Sequence, residues 1–169
     1  MKKQIFFTAC LLIIAGSVLA DNLHFSGMAF QGANANLEPK HGLVFWGMGS
    51  FGDATKNRLI CPVNFPGSNA LLQRLTIRYY DGDPDRAMRF RLMRMSIQTG
   101  IPEVQAEWNS ALLGDTGWTN VDALIYRAEI DSDTYSYWIE ALLFGPGSFS
   151  GGNYLVAIQS VRINYAVLR

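Results

Sequence analysis

Three arginines in the middle of the sequence, Arg78, Arg89 and Arg91, stand at positions from which they could bind an anion. Each alternates with apolar residues along its segment, and a polar turn separates the two segments. A hairpin in which Tyr80 pairs with Ala87 would place Arg78 directly opposite Arg89. Because like charges that face each other destabilise a strand pair, something must offset them.

Two interpretations of these arginines follow. Acids on a neighbouring strand, with Glu107, Glu129 and Glu140 as candidates, would form a solvated ladder of ion pairs, which is the usual arrangement of exposed charge runs. In the other interpretation, the arginines form a face that binds the anionic group of a sugar acid or a phosphate. The ion-pair ladder is the favoured interpretation.

Asp81, Asp83 and Asp85 occupy alternate positions, as the first ligands of many calcium loops do. The residues that follow depart from the EF-hand pattern, because Arg86 stands where that pattern has glycine and Leu92 where it has the closing glutamate. The segment is therefore predicted to be a polar hairpin turn. A Ca²⁺ ion at the three aspartates is the alternative, and no other cofactor is expected.

Aromatic side chains could stack on sugars, because a flat ring packs well on the apolar C–H face of a pyranose. Trp108 and Trp118 lie in or beside a turn-rich stretch, and Trp138 falls on the polar face of its segment together with Glu140. These three tryptophans are the candidate glycan contacts. For any single one, burial in the core or over a sheet edge is the favoured alternative.

Few residues support catalysis. Glu103 and Glu107 would form a carboxylate pair if their segment were helical, and Glu140 is a third candidate, but a glycosidase needs two carboxylates at a defined separation across a cleft. The sequence has no Gly-x-Ser-x-Gly, no His-Glu-x-x-His and no cluster of Cys and His. No catalytic residue is therefore predicted, and a binding protein is favoured over an enzyme.

The N-terminus has the three parts of a secretory signal: a basic start at Lys2 and Lys3, an apolar run over residues 5–14, and a small-residue site that ends at Ala20. Cleavage after Ala20 predicts a signal peptide over residues 1–20 and one exported domain over residues 21–169, in the periplasm or outside a bacterial cell. No second long apolar run follows, so no transmembrane segment is expected after cleavage.

Charge and cysteine content argue against a nucleic-acid-binding protein and against a catalytic thiol. The chain has 14 basic and 14 acidic residues, and loss of Lys2 and Lys3 makes the processed chain slightly acidic, so no nucleic-acid partner is expected. Cys61 is the single cysteine of the processed chain. Its burial in a strand is favoured over an intermolecular disulfide and over a catalytic thiol, because cysteine packs as a small hydrophobe.

Period-two alternation recurs through the processed chain and predicts β-strands separated by turns. The strands indicated most clearly lie around Cys61, Ile77, Phe90, Ile139 and Ile163. Earlier strands are predicted near 24–30 and 43–49, whereas 103–113 can be read as a strand, a short helix or a loop. About eight such strands, each with one polar face, predict an all-β, two-sheet antiparallel sandwich that is jelly-roll-like.

Four segments carry a resemblance to known proteins: Cys61–Gly67, Leu75–Asp81, Asp133–Tyr137 and Val161–Tyr165. They read as a proline-glycine turn, a strand ending in tyrosine and aspartate, a tyrosine-rich strand and a last strand ending in tyrosine. In this pattern the chain resembles a loose group of small secreted bacterial β-sandwich proteins of unknown function. The resemblance implies a jelly-roll-like sandwich and brings no catalytic residues.

Three functional hypotheses follow. The leading one is a secreted, non-catalytic sandwich that binds a glycan or a protein partner at its surface. The second is a structural or assembly component of an envelope or extracellular complex, and the third is a carboxylate-dependent hydrolase.

Overall fold

The computed structural model describes most of the chain from residue 19 onward, and all structural statements concern these parts: residues 19–32, 41–44, 47–50, 57–81, 88–110, 117–143 and 156–168. They contain strands and one short 3-10 turn, Gly27–Ala29. Within them, no helix has the length and apolar character needed to cross a membrane.

The strands form two antiparallel sheets. Seven strands make sheet A: β1 Leu19–Ser26, β3 His41–Val44, β4 Gly47–Ser50, β6 Ala70–Asp81, β9 Gly117–Asp122, β11 Glu129–Ile130 and β13 Val156–Val167. Six strands make sheet B: β2 Gln31–Gly32, β5 Asn57–Val63, β7 Met88–Ser96, β8 Pro102–Asn109, β10 Leu124–Ile125 and β12 Tyr135–Leu143.

The longest strands lie at the centre of the two sheets. In sheet A the order is β11-β6-β13-β4-β3, with β1 added along β13 and β9 along β6. In sheet B the order is β10-β8-β7-β12-β5-β2. The structure confirms the predicted all-β class and the two-sheet antiparallel sandwich.

The core lies between the sheets and is built from the alternate residues that the sequence pattern marks as apolar. Leu75 and Ile77 of sheet A and Phe90, Leu92 and Ile139 of sheet B are each 0% exposed. Full burial of one such side chain stabilises the fold by about 1.5–3 kcal/mol. Many side chains of this kind, drawn from distant parts of the sequence, hold the two sheets together.

Cys61 belongs to this core and is 2% exposed. Burial raises the pKa of its thiol, because a low-dielectric surrounding disfavours the thiolate. The favoured prediction for Cys61, burial in a strand, is confirmed.

The structure also shows which elements form in the two early segments and in the segment with three interpretations. The strand predicted near 24–30 begins earlier, at Leu19, and ends at Ser26, where the 3-10 turn starts. The strand predicted near 43–49 is a pair of short strands, β3 and β4. Strand β8 covers residues 103–109 of the segment 103–113 and confirms the strand interpretation there, while residues 111–113 lie outside the described residues.

The predicted hairpin between Arg78 and Arg89 is wrong. Strand β6 pairs with β13, β9 and β11 in sheet A, whereas β7 pairs with β12 and β8 in sheet B. The chain therefore crosses between the sheets after β6, and Arg78 and Arg89 lie on different sheets. The alternation fixed the side on which each arginine lies but carried no information about its partner strand.

Candidate functional site

The outer face of sheet A carries an open polar groove with a volume of about 1060 Å³. Four strands form its floor, in the order β1, β13, β6 and β9. The side chains that line it are hydroxyls, amides, one imidazole and guanidinium groups. They are His24, Ser26, Gln73, Arg74, Thr76, Arg78, Asn120, Gln159, Ser160, Arg162 and Asn164.

Strand register arranges these side chains in rows across the sheet. One row runs Ser26, Ser160, Arg78 and Asn120, each opposite the next on the neighbouring strand. The next row runs His24, Arg162, Thr76 and Asp122. Successive rows on one strand lie about 7 Å apart, since a strand rises about 3.3–3.4 Å per residue. The groove thus presents a regular lattice of hydrogen-bonding groups.

Two β-bulges add further polar side chains to this face. The register between β13 and β6 shifts at Gln159 and at Gln73, each of which is the extra residue on its strand. Both glutamines line the groove. A bulge re-aims side chains locally and is common beside functional sites.

One ion pair lies at the side of the groove. Arg74 donates two hydrogen bonds to Asp122, at 2.9 Å to Oδ1 and 2.7 Å to Oδ2, and the Thr76 hydroxyl donates a third at 2.8 Å. The hydrogen bonds from Arg74 and Thr76 lower the pKa of Asp122. Asp122 therefore stays ionised, and its carboxylate accepts hydrogen bonds from Arg74 and Thr76.

Two other arginines of the groove, Arg78 and Arg162, are exposed. Within the described part of the chain, no ion pair joins either of them to an acid. Ser160 lies opposite Arg78 in the same row, and Arg162 follows two residues later on the strand of Ser160.

An aromatic pair forms the next row of strands β6 and β9 beyond the groove lining. Tyr80 and Trp118 lie opposite each other, one row beyond Arg78 and Asn120, and their ring centroids are 5.3 Å apart. Trp118 is 44% exposed. Of the three candidate tryptophans, it is therefore the one that offers a ring to solvent beside the polar rows.

The other two candidate tryptophans lie elsewhere. Trp108 packs against the core, with its ring 4.6 Å from that of Tyr79 and 6.1 Å from that of Phe90. Trp138 is half-buried on the outer face of sheet B, between Met93 and Pro62. The three tryptophans therefore do not form one surface.

The arginines are divided in the same way. Arg78 lines the groove of sheet A, whereas Arg89 and Arg91 lie on the outer face of sheet B. Arg91 stands in register between Glu107 and Glu140, with contacts of 2.5 Å and 3.8 Å. The ion-pair ladder predicted from sequence exists at Arg91, with two of the three acids expected.

The three carboxylate candidates, Glu103, Glu107 and Glu140, each form an ion pair with an arginine. Gln105 is an extra residue in β8, so Glu103 turns to the core side of sheet B while Glu107 faces outward. Glu107 and Glu140 both bind Arg91, and Glu140 also bonds to Arg58. Arginine-bound carboxylates of this kind are held in an ion-pair network.

The calcium candidates fall largely outside the described residues. Asp81 is the last residue of β6, and Asp83 and Asp85 belong to the segment that is not described. Among the described residues, no three His, Cys, Asp or Glu side chains are grouped as metal ligands. The Ca²⁺ site stays a prediction.

Sequence reasoning missed most of the groove. His24, Arg162 and Asn164 were not singled out, because their strands β1 and β13 meet only in the folded chain. Arg162 and Asn164 alternate with buried Val161, Ile163 and Tyr165, so their outward direction was visible in the pattern. The pattern did not show which residues lie beside them on the neighbouring strands, and these neighbours are what make the groove.

Comparisons with known proteins place the chain in no family. No protein-family model matches it, and no curated protein matches it. Among solved structures, it is similar to the C-terminal CBM6 of LamC, a marine laminarinase from Zobellia galactanivorans. The identity is 16%, the match covers 85% of this chain and 98% of that one, and the TM-score is 0.48.

Two further structures are similar at the same level. The CBM36-1 domain of a multidomain xylanase from the hindgut metagenome of Trinervitermes trinervoides has 12% identity, coverage of 85% and 96%, and a TM-score of 0.49. The xylan-binding module CBM15 has 13% identity, coverage of 90% and 100%, and a TM-score of 0.49. Since these scores lie below 0.5, the fold is assigned from the sheet topology of the chain itself.

Proposed function

We propose that this protein is an exported, non-catalytic β-sandwich of bacterial origin that binds a saccharide chain along the outer face of sheet A. The observation that carries the proposal is the groove, in which rows of hydroxyl, amide and guanidinium groups end at the exposed ring of Trp118.

The chemistry of the groove suits a sugar. A pyranose presents hydroxyl groups around its edge, which need donors and acceptors such as Asn120, Ser160 and Asn164. Its apolar C–H face packs on an aromatic ring, which Trp118 supplies at the end of the rows. Pockets for compact apolar ligands are instead lined mainly by hydrophobic side chains.

The shape of the groove suits a chain rather than a single sugar. It spans four strands, and its rows repeat about every 7 Å along the strand direction. A ligand that extends across several rows can bond to polar groups in each of them. The site therefore fits an oligosaccharide that lies flat on the sheet.

We propose binding without hydrolysis because the described lining of the groove has no carboxylate. Glycoside hydrolysis needs two carboxyl groups on either side of the scissile bond. The groove lining contains no aspartate or glutamate within the described residues, and the neighbouring Asp122 is occupied by Arg74 and Thr76. The groove accordingly holds its ligand and leaves the glycosidic bond intact.

The experiment compares two tryptophans on opposite sheets. The processed protein is tested against a panel of soluble polysaccharides by affinity electrophoresis, and the best ligand is measured by calorimetry. We expect Trp118→Ala to weaken binding about tenfold, the value of a stacking contact of about 1.4 kcal/mol. Trp138→Ala, which changes the outer face of sheet B, is the matched control and should bind as the native protein does.

Two results would overturn the proposal. One is the absence of binding to every polysaccharide in the panel by the native, folded protein. The other is an equal loss of affinity in Trp118→Ala and Trp138→Ala, because the ligand would then not lie on sheet A. Circular dichroism of each variant shows that it is folded before its affinity is compared.

A further inference from the structure

The charges of the groove are strongly unequal. Its lining contains three arginines and His24, and no carboxylate within the described residues. Arg74 is neutralised by Asp122, at 2.7 Å. Within the described residues neither Arg78 nor Arg162 meets an acid, so no carboxylate there offsets the positive charge of either side chain.

The two unneutralised arginines lie close together. Arg162 of β13 is paired with Thr76 of β6, and Arg78 stands two residues further along β6 on the same face. Such diagonal neighbours on adjacent strands are about 7–8 Å apart. Both long side chains leave the same face from these neighbouring positions, so an anion that lies over this part of the sheet would be attracted by both positive charges.

This arrangement contrasts with the opposite face of the protein. On the outer face of sheet B, Arg91 lies between Glu107 and Glu140, and Arg58 also bonds to Glu140. The arginines there are compensated by the protein itself. Among the described residues, Arg58 and Arg91 on sheet B and Arg74 in the groove are each paired with an acid, whereas Arg78 and Arg162 are not.

Building on the proposed saccharide function, we infer that the ligand is an acidic saccharide whose carboxylate or sulfate groups bind Arg78 and Arg162. A guanidinium group donates two parallel hydrogen bonds to either of these anions. The hydroxyl of Ser160 and the amide of Asn120, in the row of Arg78, can bond to the neighbouring sugar hydroxyls. The near-zero net charge of the whole chain argues against nucleic acid as the anion.

The test uses ligands that differ only in charge. Polygalacturonate is compared with the same polymer after methyl esterification, and dextran sulfate is compared with dextran. We expect at least one acidic polymer to bind about tenfold more tightly than its neutral counterpart at low salt, and the difference to shrink as salt rises. Tighter binding of polygalacturonate identifies the anion as a carboxylate, and tighter binding of dextran sulfate identifies it as a sulfate.

Variants locate the interaction. Arg78→Gln and Arg162→Gln should each lose about tenfold in affinity for the acidic polymer, and Arg162→Lys, which keeps the charge, should lose less. Arg58→Gln removes an exposed arginine from sheet B and is the matched control, with no expected change. Both groove arginines are exposed, so their replacement leaves the core untouched.

The outcomes separate this inference from the proposed function. Equal affinity for acidic and neutral polymers, with the loss in Trp118→Ala retained, overturns the acidic ligand and leaves saccharide binding in place. An equal loss in Arg58→Gln and Arg78→Gln overturns the inference too, because attraction would then come from general charge. No binding to any polymer overturns both.

Discussion

Arg94 of β7 and Glu103 of β8 lie opposite each other on the core side of sheet B, joined by two hydrogen bonds to Glu103 Oε2. Arg94 Nε donates one at 2.9 Å and Nη2 the other at 2.7 Å. Arg94 is only 6% exposed, and its guanidinium carbon lies 4.2 Å from the ring centre of Tyr135. This carboxylate supplies the counter-charge of a buried cation.

Replacing the carboxylate with an amide should therefore lower stability. Glu103→Gln keeps the shape of the side chain but removes the ion-pair partner of buried Arg94, and a buried charge that loses its ion-pair partner is costly. We expect the melting temperature to fall by several degrees in differential scanning fluorimetry. Glu129→Gln, an exposed glutamate of β11, is the control and should melt as the native protein does.

The same pair predicts a pH dependence. Hydrogen bonds from Arg94 hold the pKa of Glu103 below its ordinary value. The ionised form therefore stabilises the fold above the unfolded-state pKa of about 4.3, and this contribution is lost as pH falls through the lower, folded-state pKa. Urea unfolding between pH 7 and pH 3 should show a shallower acid decline in Glu103→Gln. Parallel declines in the two proteins would contradict the role assigned to Glu103.

The thiol of Cys61 should be unreactive in the folded protein. It is buried in the core and its pKa is raised, so little thiolate is present and little reagent reaches it. The processed chain should react with Ellman's reagent far more slowly in buffer than in guanidinium chloride, where one thiol per chain is expected. A disulfide-linked dimer on a non-reducing gel would show that the burial is wrong.

Asn69 should be sensitive to the shape of its side chain. Its φ is 63°, in the left-handed region, and its carbonyl accepts a hydrogen bond of 2.8 Å from the Leu168 amide. Asn69→Val should cost about 1–2 kcal/mol in urea unfolding, because a β-branched residue is strained there, whereas Asn69→Gly should cost little. Asn64→Val, at an exposed loop position, is the control; an equal cost at both positions would refute the backbone argument.

Processing should leave most of β1 in place. Strand β1 begins at Leu19, so cleavage after Ala20 removes its first two pairs with β13 and retains those from Asp21 to Ser26. The Tyr165 hydroxyl still reaches Asp21 Oδ2, at 3.2 Å. Mass spectrometry of protein exported from a bacterial host should give a chain that starts at Asp21. A mature chain that starts elsewhere, or an unprocessed one, would contradict the assigned signal.

The amino-acid pattern by itself determined which side of the strands β5, β6, β7, β12 and β13 faces the core. Leu59, Cys61 and Val63 were predicted to alternate inward, and all three are buried. This works because neighbouring side chains of an extended backbone point to opposite sides, a property of each residue and its neighbours alone. Strands of two to four residues, such as β3 and β10, are too short to show the alternation.

Only the tertiary structure decided which strands are partners and where the register shifts. Arg78 was expected opposite Arg89 but lies opposite Ser160 and Asn120, and the extra residue Gln105 puts Glu103 and Glu107 on different faces. Pairing and bulges depend on contacts between residues far apart in sequence, which no local period encodes. The groove depends on both, since it exists only where β1, β13, β6 and β9 meet.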